Sequence, residues 1–95
     1  MFKQLIEVKT SDPDALVAHV TGYDLSSAIG LKDVAVYADR GRDGVYFVEA
    51  VFSSLEDAEK NNGREETDGW AARLREVVEE EPFYCNLVPI SAKGE

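Results

Sequence analysis

The stretch Asp33 to Phe52, DVAVYADRGRDGVYFVEAVF, decides how the rest of the chain folds. Val34, Val36 and Ala38 alternate with Ala35, Tyr37 and Asp39, and after Arg40-Gly41-Arg42-Asp43-Gly44 the run Val45 to Phe52 alternates again. A β-hairpin is predicted, because a period of two is strand patterning and Asp43-Gly44 tolerates the positive φ of a tight connection. The second strand is apolar on both faces. Tyr46, Val48, Ala50 and Phe52 point one way, and Val45, Phe47 and Val51 the other, with Glu49 alone among them. Such a strand needs cover on both sides. Helices of the same chain can supply one cover, and a second copy of the chain is the simplest source of the other.

Composition narrows what can surround this hairpin. A chain of 95 residues is expected to form one domain, 1–95, with a single core. No apolar run approaches the ~20 residues of a membrane helix, and MFKQLIEV lacks the pattern of a signal peptide. The single cysteine, Cys85, fits a reducing cytoplasm and leaves no internal disulfide to form. A net charge of −9 would repel a phosphate backbone and anionic lipid alike, so neither nucleic acid nor a membrane is an expected partner.

Outward from the hairpin, Phe2 to Lys9 alternates Phe2, Gln4, Ile6 and Val8 against Lys3, Leu5, Glu7 and Lys9, a strand with one cleaner apolar face. Asp12-Pro13-Asp14 is a helix start: a side-chain cap, a proline where its missing N–H costs nothing, and a favourable charge at the dipole's positive end. Leu16, Val20 and Tyr23 share a stripe, which Leu25, Ala28 and Ile29 carry on to a broken continuation ending at Gly30. Ser53 or Ser54 caps a short helix that Asn61-Asn62-Gly63 interrupts. A longer one resumes near Glu65 with Trp70, Leu74, Val77 and Val78 on its apolar stripe, closing at Glu79-Glu80-Glu81 before Pro82. A last strand, Phe83 to about Ile90, precedes a short polar tail, with Pro89 marking an edge or a bulge. The order β-α-β-β-α-β is the ferredoxin-like arrangement of the α+β class: a four-stranded antiparallel sheet with its first and third strands central and both helical regions on one face. The other face is the expected homodimer contact.

Several segments carry a family resemblance across nearly the whole chain: QLIEV at 4–8, DPDAL at 12–16, FVEAVFSSLEDAEKNN at 47–62 and ETDGWAARLREVVEEEPFYCNL at 66–87. In this order they resemble small members of the antibiotic biosynthesis monooxygenase superfamily. The resemblance implies a dimeric α/β barrel in which two sheets face each other and a small aromatic or haem-like ligand sits between sheet and helices. Haem-degrading relatives bind iron through a histidine in the second helical region, and Ser54 to Glu81 contains none. Cofactor-independent relatives oxidise polyketide-like aromatics, commonly with Trp and Asn near the third strand, where this chain has Glu49-Ala50-Val51-Phe52. No cofactor and no metal are expected.

Among the individual residues, Trp70 is explained as a core anchor by its spacing to Leu74 and Val77. With a cavity between its helix and the sheet, Trp70, Tyr23, Phe47 and Phe52 would stack on a planar ligand and Asn86 would bond a ligand oxygen. Glu7 and Glu49 interrupt the two central strands. A desolvated glutamate there would suit removal of a proton from a phenol or an acidic C–H; the alternatives are a surface pair of Glu7 with Lys3 or Lys9, or water between facing sheets. His19, the only histidine, lies beside the Leu16 and Val20 stripe as a partly exposed helix residue rather than a base or ligand. Three functions follow: a dimeric barrel binding a small apolar or aromatic molecule, a cofactor-independent monooxygenase acting on a phenolic aromatic, or a non-catalytic structural or regulatory dimer module.

Overall fold

Gly44, at φ 80°, closes the hairpin turn. Around it Asp39 N–H donates to the Val45 carbonyl at 3.0 Å, and the Asp39 carboxylate accepts from Gly41 N–H and from Arg42 Nε, both at 2.9 Å. The computed structural model describes residues 1–91, 93 and 94. Its elements are β1 (Phe2–Lys9), α1 (Pro13–Thr21), a 3-10 turn at Leu25–Ser27, β2 (Leu31–Ala38), β3 (Val45–Phe52), α2 (Leu55–Lys60), α3 (Glu65–Glu76) and β4 (Phe83–Leu87). The strands form one antiparallel sheet in the order β2-β3-β1-β4, so the first and third strands are central, as the ferredoxin-like reading requires. Phe2 pairs with Phe52 and Val8 with Tyr46 across β1 and β3, which sets Phe2, Gln4, Ile6 and Val8 on the face shared with Tyr46, Val48, Ala50 and Phe52. All three helices cover this face. Ile6, Val8, Leu16, Val20, Val48 and Leu74 meet beneath them as one buried cluster.

Local chemistry accounts for most element ends. Asp12 Oδ1 accepts from Ala15 N–H at 3.2 Å as predicted, and of the two candidates Ser53 and Ser54 it is Ser54 whose Oγ accepts from Asp57 N–H, at 3.0 Å. α1 stops at Thr21, and the broken continuation is a single 3-10 turn capped by Asp24. Gly30 follows in the left-handed region at φ 70°, where a Cβ would lie 2.6 Å from Asp57 Cβ. Only glycine fits there without strain.

Two elements end earlier than their patterns predict. α3 closes at Glu76 rather than Glu81, because tertiary bonds take up backbone groups that a longer helix would use: Thr10 Oγ1 donates to the Val77 carbonyl at 2.8 Å, and Glu79 N–H donates to the Lys9 carbonyl at 2.7 Å. Val77 and Val78 still pack on the core from this irregular stretch. β4 ends at Leu87, not Ile90. Its final pairing is with Lys3, close to the end of β1, and Pro89 has no N–H with which to extend the ladder. Of the polar tail expected after it, Ala92 and Glu95 lie outside the described residues.

Candidate functional site

Where β1, β3 and β4 pass beneath α2 and α3, the packing leaves a cleft of about 400 Å³. Its apolar lining includes Phe2, Phe52, Leu55 and Trp70, and its polar lining Gln4, Thr67, Tyr84 and Asn86. A narrower apolar extension of about 80 Å³ runs deeper, past Tyr23, Val34, Val48 and Ala50, and shares Gln4, Phe52 and Trp70 with the main cleft. Strand parity explains the lining. Gln4 and Asn86 are register partners across β1 and β4 on the helix face, and Gln4 Nε2 donates to Asn86 Oδ1 at 3.1 Å. Half of each amide, Gln4 Oε1 and Asn86 Nδ2, is left with no partner among the described residues, so one strand pair offers both an acceptor and a donor. Burial raises the Tyr84 phenol above its ordinary pKa, with Glu81 adding to the shift and Arg75 opposing it, so it stays a protonated donor at neutral pH. Among the described residues no lysine, arginine or histidine lines either part.

Trp70 stands at the junction of the cleft and its extension. The His19 ring stacks on it with centroids 4.9 Å apart and planes at 26°, and the Tyr23 ring meets it edge-on at 6.4 Å. His19 Nε2 also lies 3.1 Å from the Trp70 carbonyl oxygen. The floor nearby is set by Asn61, which is 4% exposed. Its Oδ1 accepts from Ile29 N–H at 3.0 Å and Arg64 Nη1 at 2.9 Å, while its Nδ2 donates to the carbonyls of Ile29 and Asp57, each at 3.0 Å. The Asn break between the helices is therefore the pin that holds the segment before β2 against α2.

The residues singled out from sequence divide between the two sheet faces. Trp70, Tyr23, Phe52 and Asn86 come together around the cleft and its extension. Phe47, expected with them, does not: it is an odd number of residues from Phe52 on one strand and pairs with Glu7 on the opposite face. Glu7 and Glu49 also lie there, away from Trp70. Arg42 Nη1 is 3.2 Å from Glu7 Oε2, Lys3 Nζ is 3.3 Å from Glu49 Oε2, and the Tyr37 hydroxyl donates to Glu49 Oε1 at 3.4 Å. The surface pair foreseen for Glu7 with Lys3 or Lys9 is instead a pair with Arg42, while Lys9 reaches Glu80 at 3.7 Å. Gln4, Thr67 and Tyr84 were not among the expected lining residues. Gln4 could have been found from the helix-facing parity of β1, whereas Tyr84 and Thr67 needed the register of β4 and the rotation of α3.

That second face of the sheet carries Leu5, Phe47 and Val51 at its centre with Tyr37, Phe83, Cys85 and Leu87 around them. Tyr37, Phe83 and Leu87 are 52%, 65% and 43% exposed, so the face is an uncovered apolar surface ringed by ion pairs. Among the described residues no helix is long and apolar enough to cross a membrane.

No protein-family model and no curated protein matches the sequence. The fold has clear counterparts. A candidate antibiotic biosynthesis monooxygenase from Deinococcus radiodurans superposes with a TM-score of 0.75 at 12% identity, covering 100% of this chain and 98% of that one. One from Chloroflexus aurantiacus gives 0.68 at 20% identity, over 99% and 98%. SnoaB, a cofactor-independent oxygenase from Streptomyces nogalater, gives 0.74 at 10% identity, over 99% and 97%. At these identities the likeness reaches the fold and no further, and on that ground the chain has the ferredoxin-like fold of the antibiotic biosynthesis monooxygenase-type proteins.

Proposed function

We propose that the protein is a cytoplasmic homodimer that binds a small, uncharged, largely aromatic molecule between its sheet and helices. The observation that carries this reading is the cleft itself: an apolar slot walled by Trp70 and Phe52, opening on the half-free amides of Gln4 and Asn86. A flat apolar body fits the first part and a keto or hydroxyl oxygen the second. With no cationic side chain among the described residues of the lining and a net charge of −9, a carboxylated ligand would be poorly held. The homodimer is supported by the uncovered face around Leu5, Phe47 and Val51, which a second copy would cover by pairing sheet to sheet as an α/β barrel. The free thiol of Cys85 fits a reducing compartment.

The test is isothermal titration with 2-naphthol, 2-naphthoate and naphthalene, repeated on Trp70→Ala and Asn86→Leu. Saturable binding of 2-naphthol, weakened roughly tenfold in Trp70→Ala and severalfold in Asn86→Leu, is the expected result. Absence of saturable binding by any probe to the folded wild type would remove the reading.

The alternative, a cofactor-independent oxygenase, draws on the fold shared with SnoaB. Glu7 or Glu49 would serve as its base only for a substrate on the outer sheet face, since neither lines the cleft. Oxygen uptake with dihydroxynaphthalenes, compared between wild type, Glu7→Gln and Glu49→Gln, tests that version: uptake that survives both substitutions excludes these carboxylates.

A further inference from the structure

His19 lines neither the cleft nor its extension, yet it covers one face of the residue that lines both. Its bond to the Trp70 carbonyl fixes its chemistry. A carbonyl oxygen only accepts, so Nε2 carries a proton, and the nitrogen that titrates is Nδ1. The stack and this bond tie one imidazole to both the ring and the backbone of Trp70, and Tyr23, one turn beyond His19, closes on the edge of the indole. Trp70 is thus held from the α1 side by two side chains, leaving the rest of its ring to the cleft. We propose that His19 is the positioning residue of the binding cleft: it sets the orientation of the Trp70 wall on which a ligand stacks, and the charge on its ring is sensed by that wall. This rests on the proposed ligand-binding function and extends it to a residue outside the cleft.

The surroundings of His19 keep the neutral form dominant at pH 7. Burial lowers its pKa, the bond to the Trp70 carbonyl opposes that shift, and Arg73 on α3 lowers it further. Arg73 and Tyr23 are the ionisable side chains that share its outer surface, the remainder being Ala18 and Gly22. Acidification therefore places an imidazolium on the back of the indole, a cation over an aromatic face.

The chain contains one tryptophan, so emission excited where only indole absorbs comes from Trp70 alone, and His19→Gln separates the contribution of this couple. A protonated imidazole in contact with indole quenches its emission, and the wild type is expected to lose intensity on acidification with a midpoint below 6.5, while His19→Gln shows no such step. By calorimetry, 2-naphthol binding should weaken roughly three- to tenfold in His19→Ala and be largely restored in His19→Phe, which returns an aromatic face without the bond. Equal affinity in folded His19→Ala and wild type would overturn the positioning role, and a fluorescence step that persists in His19→Gln would overturn the sensing of the His19 charge by Trp70. If no probe binds the wild type, the ligand-binding reading and the role built on it both fall, while the fluorescence step still decides separately whether Trp70 senses the charge on His19.

Discussion

Replacing Asn61 by alanine should destabilise the protein where the segment before β2 meets α2. The side chain is 4% exposed and makes four hydrogen bonds, three of them to backbone: Ile29 N–H, the Ile29 carbonyl and the Asp57 carbonyl, each at 3.0 Å. The fourth, from Arg64 Nη1, couples it to a guanidinium that also reaches the Ser27 carbonyl at 3.2 Å. Taking about 1 kcal/mol for each net bond, and allowing water to reach part of the exposed Ile29 segment, the loss is about 2–4 kcal/mol. For a domain of this size that lowers Tm by roughly 10–25 °C. Asn61→Asp is the sharper probe. It keeps both acceptor bonds and turns both donor bonds into contacts between oxygens, so it should cost at least as much as alanine although it is nearly the same shape. Thermal and urea denaturation followed by circular dichroism measure both. A loss below about 1 kcal/mol for Asn61→Ala would mean that the strand-helix junction is held by packing alone, and the account of the Asn break would be wrong.

Three further outcomes are expected. Gly30→Ala should destabilise by about 1–3 kcal/mol, from the left-handed backbone together with the contact of the new Cβ with Asp57, measured by urea unfolding. Because the His19 pKa is lowered in the folded state, the unfolded chain binds more protons below 6.5; wild-type stability should fall as pH drops from 6.5 to the folded pKa and then level off, and His19→Gln should lack this component of the slope in pH-dependent urea midpoints. Phe47→Asp, which puts a charge at the centre of the uncovered sheet face, should shift sedimentation at micromolar concentration from dimer to monomer without loss of the fold, and a wild type that sediments as a monomer would refute the sheet-to-sheet pairing.

How much of this could be read without coordinates depended on the range of the interaction. The hairpin, the cap at Asp12 and a cap at Ser53 or Ser54 follow from parity and local hydrogen-bonding chemistry, and the central placement of β1 and β3 from the β-α-β-β-α-β order; the structure has all of them, with Ser54 as the second cap. The early ends of α3 and β4 were not legible, because they are set by Thr10 and Lys9 and by where β1 begins, contacts far away in sequence. The site was legible in part. Parity alone separates Phe47 from Phe52, and applied strictly it would have removed Phe47 from any group containing Trp70. The stack of His19 on Trp70 links residues 51 positions apart across two helices and has no local signature.

The sheet order also has a consequence for how the chain is made. β1 lies between β3 and β4, so during synthesis it leaves the ribosome before either of the strands it must pair with. At about 5–20 residues per second it waits on the order of seconds for β3, and longer for β4. Throughout that interval both of its hydrogen-bonding edges are open to any other nascent strand. Lys3, Glu7 and Lys9, which later sit in ion pairs on the outer sheet face, are what keep this early segment charged. Replacing them with apolar residues would have its largest effect on the yield of soluble protein rather than on the stability of the molecules that succeed in folding.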